Sequence, residues 1–243
     1  MRLSGSVENM ATRISQSRWE QAQQWELAFW TRGNRGLRAW LRRIRGRGGD
    51  DWNHWWAAQF DCYRFIPQEL DNVIELGCGP YTNVRLILQG RSVRHLVCSD
   101  PLVLRYCALP GTWIRQAVRS AHVSLDDHAI EDAPFKEKYF DLVIMINVLD
   151  HAQDAFRCLA VATSLVKPGG LLLLGQDLTA EEDDIEDVGH PIRLNVTDIL
   201  PYLTDFEPVL QETLPRKEGR NPSVHYATLV FAGRRPEVAL VGD

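Results

Sequence analysis

The pattern of hydrophobic and polar positions changes near residue 70, and this change predicts a chain in two parts. From Asp71 onward, short apolar runs alternate with stretches of helical periodicity, an order typical of βαβ units on a parallel sheet. The runs at 142–146 and 171–174 are apolar at every position, as expected of strands buried on both faces. The predicted strands are residues 72–76, 95–99, 141–147 and 171–175, followed by an antiparallel pair at 209–214 and 226–232.

Helices are predicted between the strands and throughout the first part of the chain. A helix over 152–166 has one apolar face and ends at the KPGG segment at 167–170, and a second helix is expected over 82–88. Before residue 70, apolar stripes predict helices at 19–29, 37–44 and 52–63, the last ending near Pro67. We therefore expect a Trp- and Arg-rich helical extension over residues 1–70 and the main domain over residues 71–243.

The charge of the chain is distributed unevenly between these parts. The net charge is −5, but residues 1–49 carry ten arginines against three glutamates, or +7, which leaves −12 for the remainder. The arginines around the helix at 37–44 suit a phosphate-bearing acceptor or a membrane surface, and a helix that packs with a solvated basic face is the alternative. Nucleic acid is not expected as a partner. Seven of the eight tryptophans lie before residue 57, where they line an acceptor pocket or pack the helices onto the sheet.

The composition excludes several classes of protein. With 45% hydrophobic and 24% charged residues, the chain is typical of globular domains rather than fibrous or disordered ones. It has no apolar run of about 20 residues and no apolar signal segment at its start, so a cytoplasmic location is expected. The five cysteines are scattered without a CxxC spacing, and the acidic run at 181–184 is typical of a solvated loop. No metal site is therefore predicted, and the oligomeric state stays open.

The first predicted strand ends in a glycine turn, ELGCG at 75–79. Gly77 and Gly79 allow the backbone to approach a ligand at the carboxyl end of a parallel strand, although a tight turn alone also favours glycine. Asp100 follows the next strand about 20 residues later, where a carboxylate can accept hydrogen bonds from a ribose diol. Because Asp100 precedes Pro101, a helix N-cap is a second and compatible interpretation. The pair of features indicates a cofactor that contains adenosine.

Further motifs follow in order: AIEDAPF at 129–135, FDLV at 140–143 leading to NVLDH at 147–151, and KPGG at 167–170. Over roughly residues 72–175, this set resembles the class I S-adenosylmethionine-dependent methyltransferases, and within them the type 11 group. The resemblance implies a Rossmann-like, seven-stranded, mostly parallel sheet with helices on both faces. It also implies S-adenosylmethionine as the cofactor and places the acceptor lid in the N-terminal extension.

Carried over to these motifs, the resemblance implies a set of cofactor-binding residues. Glu75, Gly77 and Gly79 would surround the methionine part, Asp100 would hold the ribose hydroxyls, Ile130 and Glu131 would border the adenine, and Asn147 would lie beneath the sulfonium. Cys78 and Pro101 complete the cofactor-binding set. The sequence departs from the family in two places. Tyr81 replaces a glycine often found in the turn, and Ala129 stands where many relatives carry an acid near the adenine.

His151 and His190 are the candidate catalytic residues. Methyl transfer requires alignment of the acceptor and, for an alcohol or ammonium, removal of a proton, which a histidine near its ordinary pKa can perform. A structural role for each histidine is the alternative. The expected activity is methylation of an O or N atom of a small-molecule or glycan-type acceptor. A catalytically silent binding module recruited through its basic helix is the alternative from another class, while a nicotinamide dehydrogenase is disfavoured because the turn lacks the GxGxxG pattern.

Overall fold

A seven-stranded sheet forms the centre of the protein in a computed structural model, which describes residues 12–34, 51–60, 65–119, 123–178, 188–215 and 227–237. The sheet order is β3-β2-β1-β4-β5-β7-β6, with β1 to β5 parallel and β7 antiparallel to both β5 and β6. This topology confirms the predicted fold. The strands are β1 (Glu69–Leu76), β2 (Ser92–Ser99), β3 (Ser124–Asp126), β4 (Phe140–Ile146), β5 (Val166–Leu178), β6 (Glu207–Leu214) and β7 (Ala227–Arg234).

Helices cover both faces of this sheet. The described helices are α1 (Gln16–Asn34), α2 (Asp51–Gln59), α3 (Val84–Ile87), α4 (Val103–Ala108), α5 (Trp113–Arg119), α6 (Ala155–Leu165) and α7 (Val196–Ile199). Short 3₁₀ turns lie at Ile130–Asp132, Leu149–His151 and Leu200–Leu203. None of the helices in these described stretches is both long enough and apolar enough to cross a bilayer.

The core consists of two apolar clusters, one on each face of the sheet. Val143 of β4 packs with α6 on one face, whereas its neighbour Ile144 packs with α2 and α3 on the other. Successive residues of a strand point to opposite faces, so a strand covered on both sides must be apolar throughout. This explains the continuous apolar runs that predicted the central strands.

The structure differs from the prediction in three places. The KPGG segment follows α6 but belongs to β5. The N–H of Gly169 donates to the carbonyl of Arg235, and the N–H of Arg235 donates to the carbonyl of Gly170, both at 2.9 Å, and these bonds continue the sheet. β3 was not predicted, since it has three residues and lies at the sheet edge. The predicted helix at 52–63 ends at Gln59. The predicted basic helix at 37–44 and the acidic run at 181–184 lie outside the described residues.

Candidate active site

The turn after β1 brings backbone to the edge of a cavity. Gly77 has a φ of +67°, and an added Cβ would lie 2.4 Å from a methyl carbon of Val148. Gly79 has a φ of +57°, and a Cβ there would meet nothing within 4 Å. The N–H of Cys78 donates to the carbonyl of Ser99 at 3.1 Å and joins the turn to the end of β2. Glycine is thus needed at Gly77 for packing and at both positions for backbone conformation.

Glu75 supports this turn from inside the protein. Its side chain is 1% exposed and accepts hydrogen bonds from the backbone N–H of Asn83 (2.8 Å), the side-chain amide of Asn83 (3.0 Å) and the Thr82 hydroxyl. Burial raises the pKa of Glu75 to about 7, although these hydrogen bonds act to lower it. Glu75 is not among the residues that line the cavity, so it supports the turn from behind and not as part of the cavity wall.

Asp100 joins the turn to the end of β2. One carboxylate oxygen accepts the N–H of Gly79 at 3.0 Å, and the other accepts the N–H of Leu102 at 2.8 Å. Asp100 therefore faces the cavity, where its contact with a ribose stays a prediction. The predicted N-cap at Asp100 is wrong, because the chain makes one more turn before α4 and Leu102 is the N-cap. Burial raises the pKa of Asp100 to about 6 despite both hydrogen bonds.

The cavity has a volume of about 340 Å³ and lies between the carboxyl ends of β1 and β4 and the helices α1 and α2. In an open parallel sheet this is the position where nucleotide-like ligands bind, at the reversal of strand order. Apart from Glu75, every residue expected at the cofactor or in catalysis lines it. These residues are Gly77, Cys78, Gly79, Asp100, Pro101, Ile130, Glu131, Asn147, His151 and His190.

Asn147 and Glu131 are held by backbone hydrogen bonds at the cavity wall. Asn147 has a φ of +56°, and its side-chain oxygen accepts the N–H of Asp177 at 3.2 Å. One carboxylate oxygen of Glu131 accepts the N–H groups of both Gln153 and Asp154 at 2.9 Å. The side chain of Asn147 is therefore held by β5, and that of Glu131 by the segment that follows β4.

The two histidines lie next to each other in the cavity lining. The rings of His151 and His190 lie 4.4 Å apart between centroids, and Asp150 is their neighbour. The Nδ1 of His151 lies 4.0 Å from a carboxylate oxygen of Glu26. Burial acts to lower the pKa of His151, but the charges of Asp150 and Glu26 and a hydrogen bond to the Gly189 backbone outweigh it, so this pKa is raised.

An aromatic wall, defined as Trp25, Phe29, Trp30, Trp52 and Tyr81, closes the cavity beside these histidines. Trp25 and Phe29 stack at 5.5 Å, and Trp30 lies 6.1 Å from Trp52 and 5.7 Å from Tyr81 between ring centroids. Tyr81, the departure from the family glycine, is thus a wall residue. Trp56 instead packs against Gly175, where an added Cβ would lie 2.6 Å from its ring.

Glu26 and Gln23 were missed from the sequence, although a signal for them existed. Trp19, Gln23, Glu26 and Trp30 follow one another at spacings of about one helical turn. All four therefore lie on one face of α1. All four residues line the cavity. Polar residues within an aromatic stripe at helical spacing therefore indicated a face that borders a polar cavity.

Comparison with known proteins agrees with this arrangement. Residues 74–174 match the family model of the methyltransferase domain. The fold is similar to 1,6-didemethyltoxoflavin-N1-methyltransferase of Burkholderia thailandensis, solved with 1,6-didemethyltoxoflavin and S-adenosylhomocysteine (TM-score 0.61, 16% identity, 92% of each chain covered). It is also similar to the N-methyltransferase NodS of Bradyrhizobium japonicum WM9 with S-adenosyl-L-homocysteine (TM-score 0.59, 17% identity, 90% of this chain and 99% of that one).

A third structure with the same fold is the [4+2]-cyclase SpnF (TM-score 0.56, 14% identity, 75% of this chain and 81% of that one). A search of curated protein sequences finds no match. The ordered motifs, the sheet topology and the matched family model agree over the same residues. Residues 74–174 therefore match a methyltransferase domain, and the chain has the fold of the class I S-adenosylmethionine-dependent methyltransferases.

Proposed function

We propose that this enzyme methylates an O or N atom of a small-molecule or glycan-type acceptor. The observation that carries the proposal is that one cavity contains both the glycine turn with Asp100 and the histidine pair. S-adenosylmethionine supplies an electrophilic methyl group on a cationic sulfur. The protein then has to orient an acceptor at that methyl group and remove its proton where necessary.

The cofactor-binding residues proposed from the motifs are compatible with their positions in the cavity. Gly77, Cys78 and Gly79 present backbone at one end, with Asp100 and Pro101 beside them for the ribose. Ile130, which is 4% exposed, and Glu131 offer an apolar and a polar surface to the adenine. Asn147 is proposed beneath the sulfonium, and Glu75 acts through the turn that it supports.

The acceptor is proposed to lie against the aromatic wall, under a lid formed by residues 1–70. Two helices of this extension, α1 and α2, contribute Trp25, Phe29, Trp30 and Trp52 to the wall. Aromatic rings bind flat apolar groups and the apolar faces of sugars, and they also attract cations. A phosphate or membrane contact through the basic helix at 37–44 remains a separate proposal, because that segment lies outside the described residues.

His151 and His190 are proposed as the residues that act on the acceptor. Both line the cavity, and Asp150 is their neighbour. An imidazole in its neutral form can accept the proton that the acceptor loses when its lone pair attacks the methyl carbon. The carbon–sulfur bond breaks in the same step, and sulfur keeps the electron pair.

Calorimetric titration with S-adenosylmethionine and S-adenosylhomocysteine tests the proposal. Micromolar binding of both is expected, followed by transfer of a labelled methyl group to extracted metabolites or glycan precursors. Absence of cofactor binding would favour the silent binding module instead. Binding without transfer to any O or N acceptor in such extracts would contradict the proposed reaction while leaving the cofactor site intact.

A further inference from the structure

Three side chains with metal-binding atoms converge at the acceptor end of the cavity. Asp150 and His151 follow β4, and His190 lies in the segment before α7. One ligand atom from each lies within 4.8 Å of the other two. Two imidazoles and one carboxylate are a ligand set typical of Zn²⁺, Co²⁺ and Fe²⁺. We propose that this Asp-His-His cluster binds one divalent transition-metal ion, which holds a hydroxyl group of the acceptor.

Asp150 is positioned by its neighbours before any ion binds. It is 3% exposed, and one carboxylate oxygen accepts a hydrogen bond of 2.9 Å from the side-chain amide of Gln176. The amide oxygen of Gln176 accepts the N–H groups of Val148 (3.2 Å) and Leu149 (3.0 Å). Such partners behind a ligand fix its orientation and strengthen metal binding. The other carboxylate oxygen of Asp150 is the one assigned to the ion.

The histidines are also held close to Asp150. The N–H of Ile192 donates to the backbone carbonyl of Asp150 at 3.3 Å, which attaches the His190 segment to the turn after β4. The His151 ring is hydrogen-bonded to the backbone of Gly189. A ring nitrogen that donates to a carbonyl leaves the opposite nitrogen as the ligand atom, which is the usual arrangement of metal-binding histidines.

The charges around the cluster favour a cation. Asp150 is a buried carboxylate, and it forms no ion pair with a lysine or arginine among the residues that the structure describes. Burial of a carboxylate is costly even with the hydrogen bond from Gln176, and a bound cation lowers that cost. Ligands about 2.1 Å from Zn²⁺ lie about 3.4 Å from one another, so side-chain shifts of about 1 Å close the cluster around an ion.

The ion would have a coordination position open to the acceptor. Three protein ligands are typical of catalytic sites, in which a water or substrate atom completes the coordination. A cation at this position lowers the pKa of a bound hydroxyl, so that the proton passes to solvent and the oxygen attacks the methyl carbon. This role rests on the proposed function and identifies the acceptor atom as oxygen, whereas binding of the ion does not depend on methyl transfer. With the ion bound, the imidazoles are ligands rather than bases.

Titration of the full-length, tag-free chain with Co²⁺ tests the proposal after metal has been removed with a chelator. One Co²⁺ per chain is expected, with the visible absorption bands of a four- or five-coordinate site and with displacement by Zn²⁺. Absence of stoichiometric binding would overturn the proposal. S-adenosylhomocysteine titrated into the same metal-free sample tests the cofactor site separately, so the two failures are distinguishable.

Variants locate the site. His190→Ala and His151→Ala are expected to weaken Co²⁺ binding more than tenfold, whereas His95→Ala, at an exposed position of β2, is expected to leave it unchanged. If both single variants, His190→Ala and His151→Ala, fold and bind Co²⁺ with unchanged affinity, the assignment of these histidines as metal ligands is overturned. Where a variant fails to fold, the wild-type Co²⁺ stoichiometry and spectrum decide the outcome.

Discussion

The carboxylate of Asp100 accepts a hydrogen bond of 3.0 Å from the backbone N–H of Gly79, and this contact joins the ends of two neighbouring strands at the cavity. The second oxygen of Asp100 accepts the N–H of Leu102. The side chain therefore shapes the turn as well as facing the proposed ribose position. Its removal is expected to affect both the geometry of the turn and the hydrogen bonds offered to a cofactor.

Asp100→Ala is expected to weaken binding of S-adenosylhomocysteine more than tenfold, since a hydrogen bond donated to a charged group contributes about 1.5–3 kcal/mol. Calorimetric titration measures the change. Asp127→Ala, at an exposed position in the loop that follows β3, is the matched control and is expected to bind as the wild type does. Equal affinity in Asp100→Ala and wild type would remove Asp100 from the ribose contact.

Gly77→Ala is expected to destabilise the fold by about 3 kcal/mol, from the positive φ together with overlap on Val148. Urea denaturation measures the free energy of unfolding. Gly90 has a φ of +79° and nothing within 4 Å of an added Cβ, so Gly90→Ala isolates the conformational cost of about 1 kcal/mol. If the two variants lose similar amounts of unfolding free energy, the side chain of Val148 moves aside without measurable cost.

Glu75 is expected to make stability depend on pH. Its pKa is about 7 in the folded protein against 4.5 ordinarily, because burial opposes the charged form. A raised pKa means that the folded state binds the proton more tightly, so stability is retained below pH 4.5 and lost as pH rises toward 7. The loss is about 3 kcal/mol.

The Glu75→Gln variant provides the measurement, because other titrating groups cancel when it is compared with wild type. The free energy of unfolding of the variant relative to wild type is expected to increase by about 3 kcal/mol between pH 4.5 and pH 8. Chemical denaturation at several pH values measures this difference. A difference that stays constant over the range would contradict the raised pKa of Glu75.

Gln176→Met is expected to lower stability by about 2 kcal/mol, because the buried N–H groups of Val148 and Leu149 lose their acceptor. It is also expected to reduce methyl transfer more than cofactor affinity, since Asp150 loses its hydrogen bond. Gln211→Met, at an exposed position of β6, is the control for the substitution itself. A stability equal to that of the control would indicate that water replaces the amide.

His190→Ala is expected to reduce the rate of methyl transfer about 100-fold or more, in the range found for removal of a group that assists proton transfer. Affinity for S-adenosylhomocysteine is expected to stay within about twofold, since methyl transfer and not cofactor binding uses this side chain. Single-turnover kinetics and calorimetry measure the two effects. A loss confined to cofactor affinity would place His190 at the cofactor instead of the acceptor.

Local patterns were sufficient for most of the sheet and for most of the cavity-lining residues that are proposed at the cofactor. Strands such as β4 are apolar at every position because both faces are buried, and this requirement is visible in the sequence without any long-range information. The glycine turn and Asp100 lie at strand ends, so the parallel topology already brings them to one edge. β3 was missed because three partly exposed residues at a sheet edge have no distinctive pattern.

The histidine cluster and the aromatic wall depended on contacts between distant parts of the chain. His190 meets Asp150 and His151 because the segment before α7 folds back over the end of β4, and spacing along the chain contains no trace of that approach. Tyr81 joins tryptophans of α1 and α2 for the same reason. The spacing of apolar residues and the residue types in a turn are local properties that a sequence displays directly. Which loops come together is instead set by how the helices pack on the completed sheet.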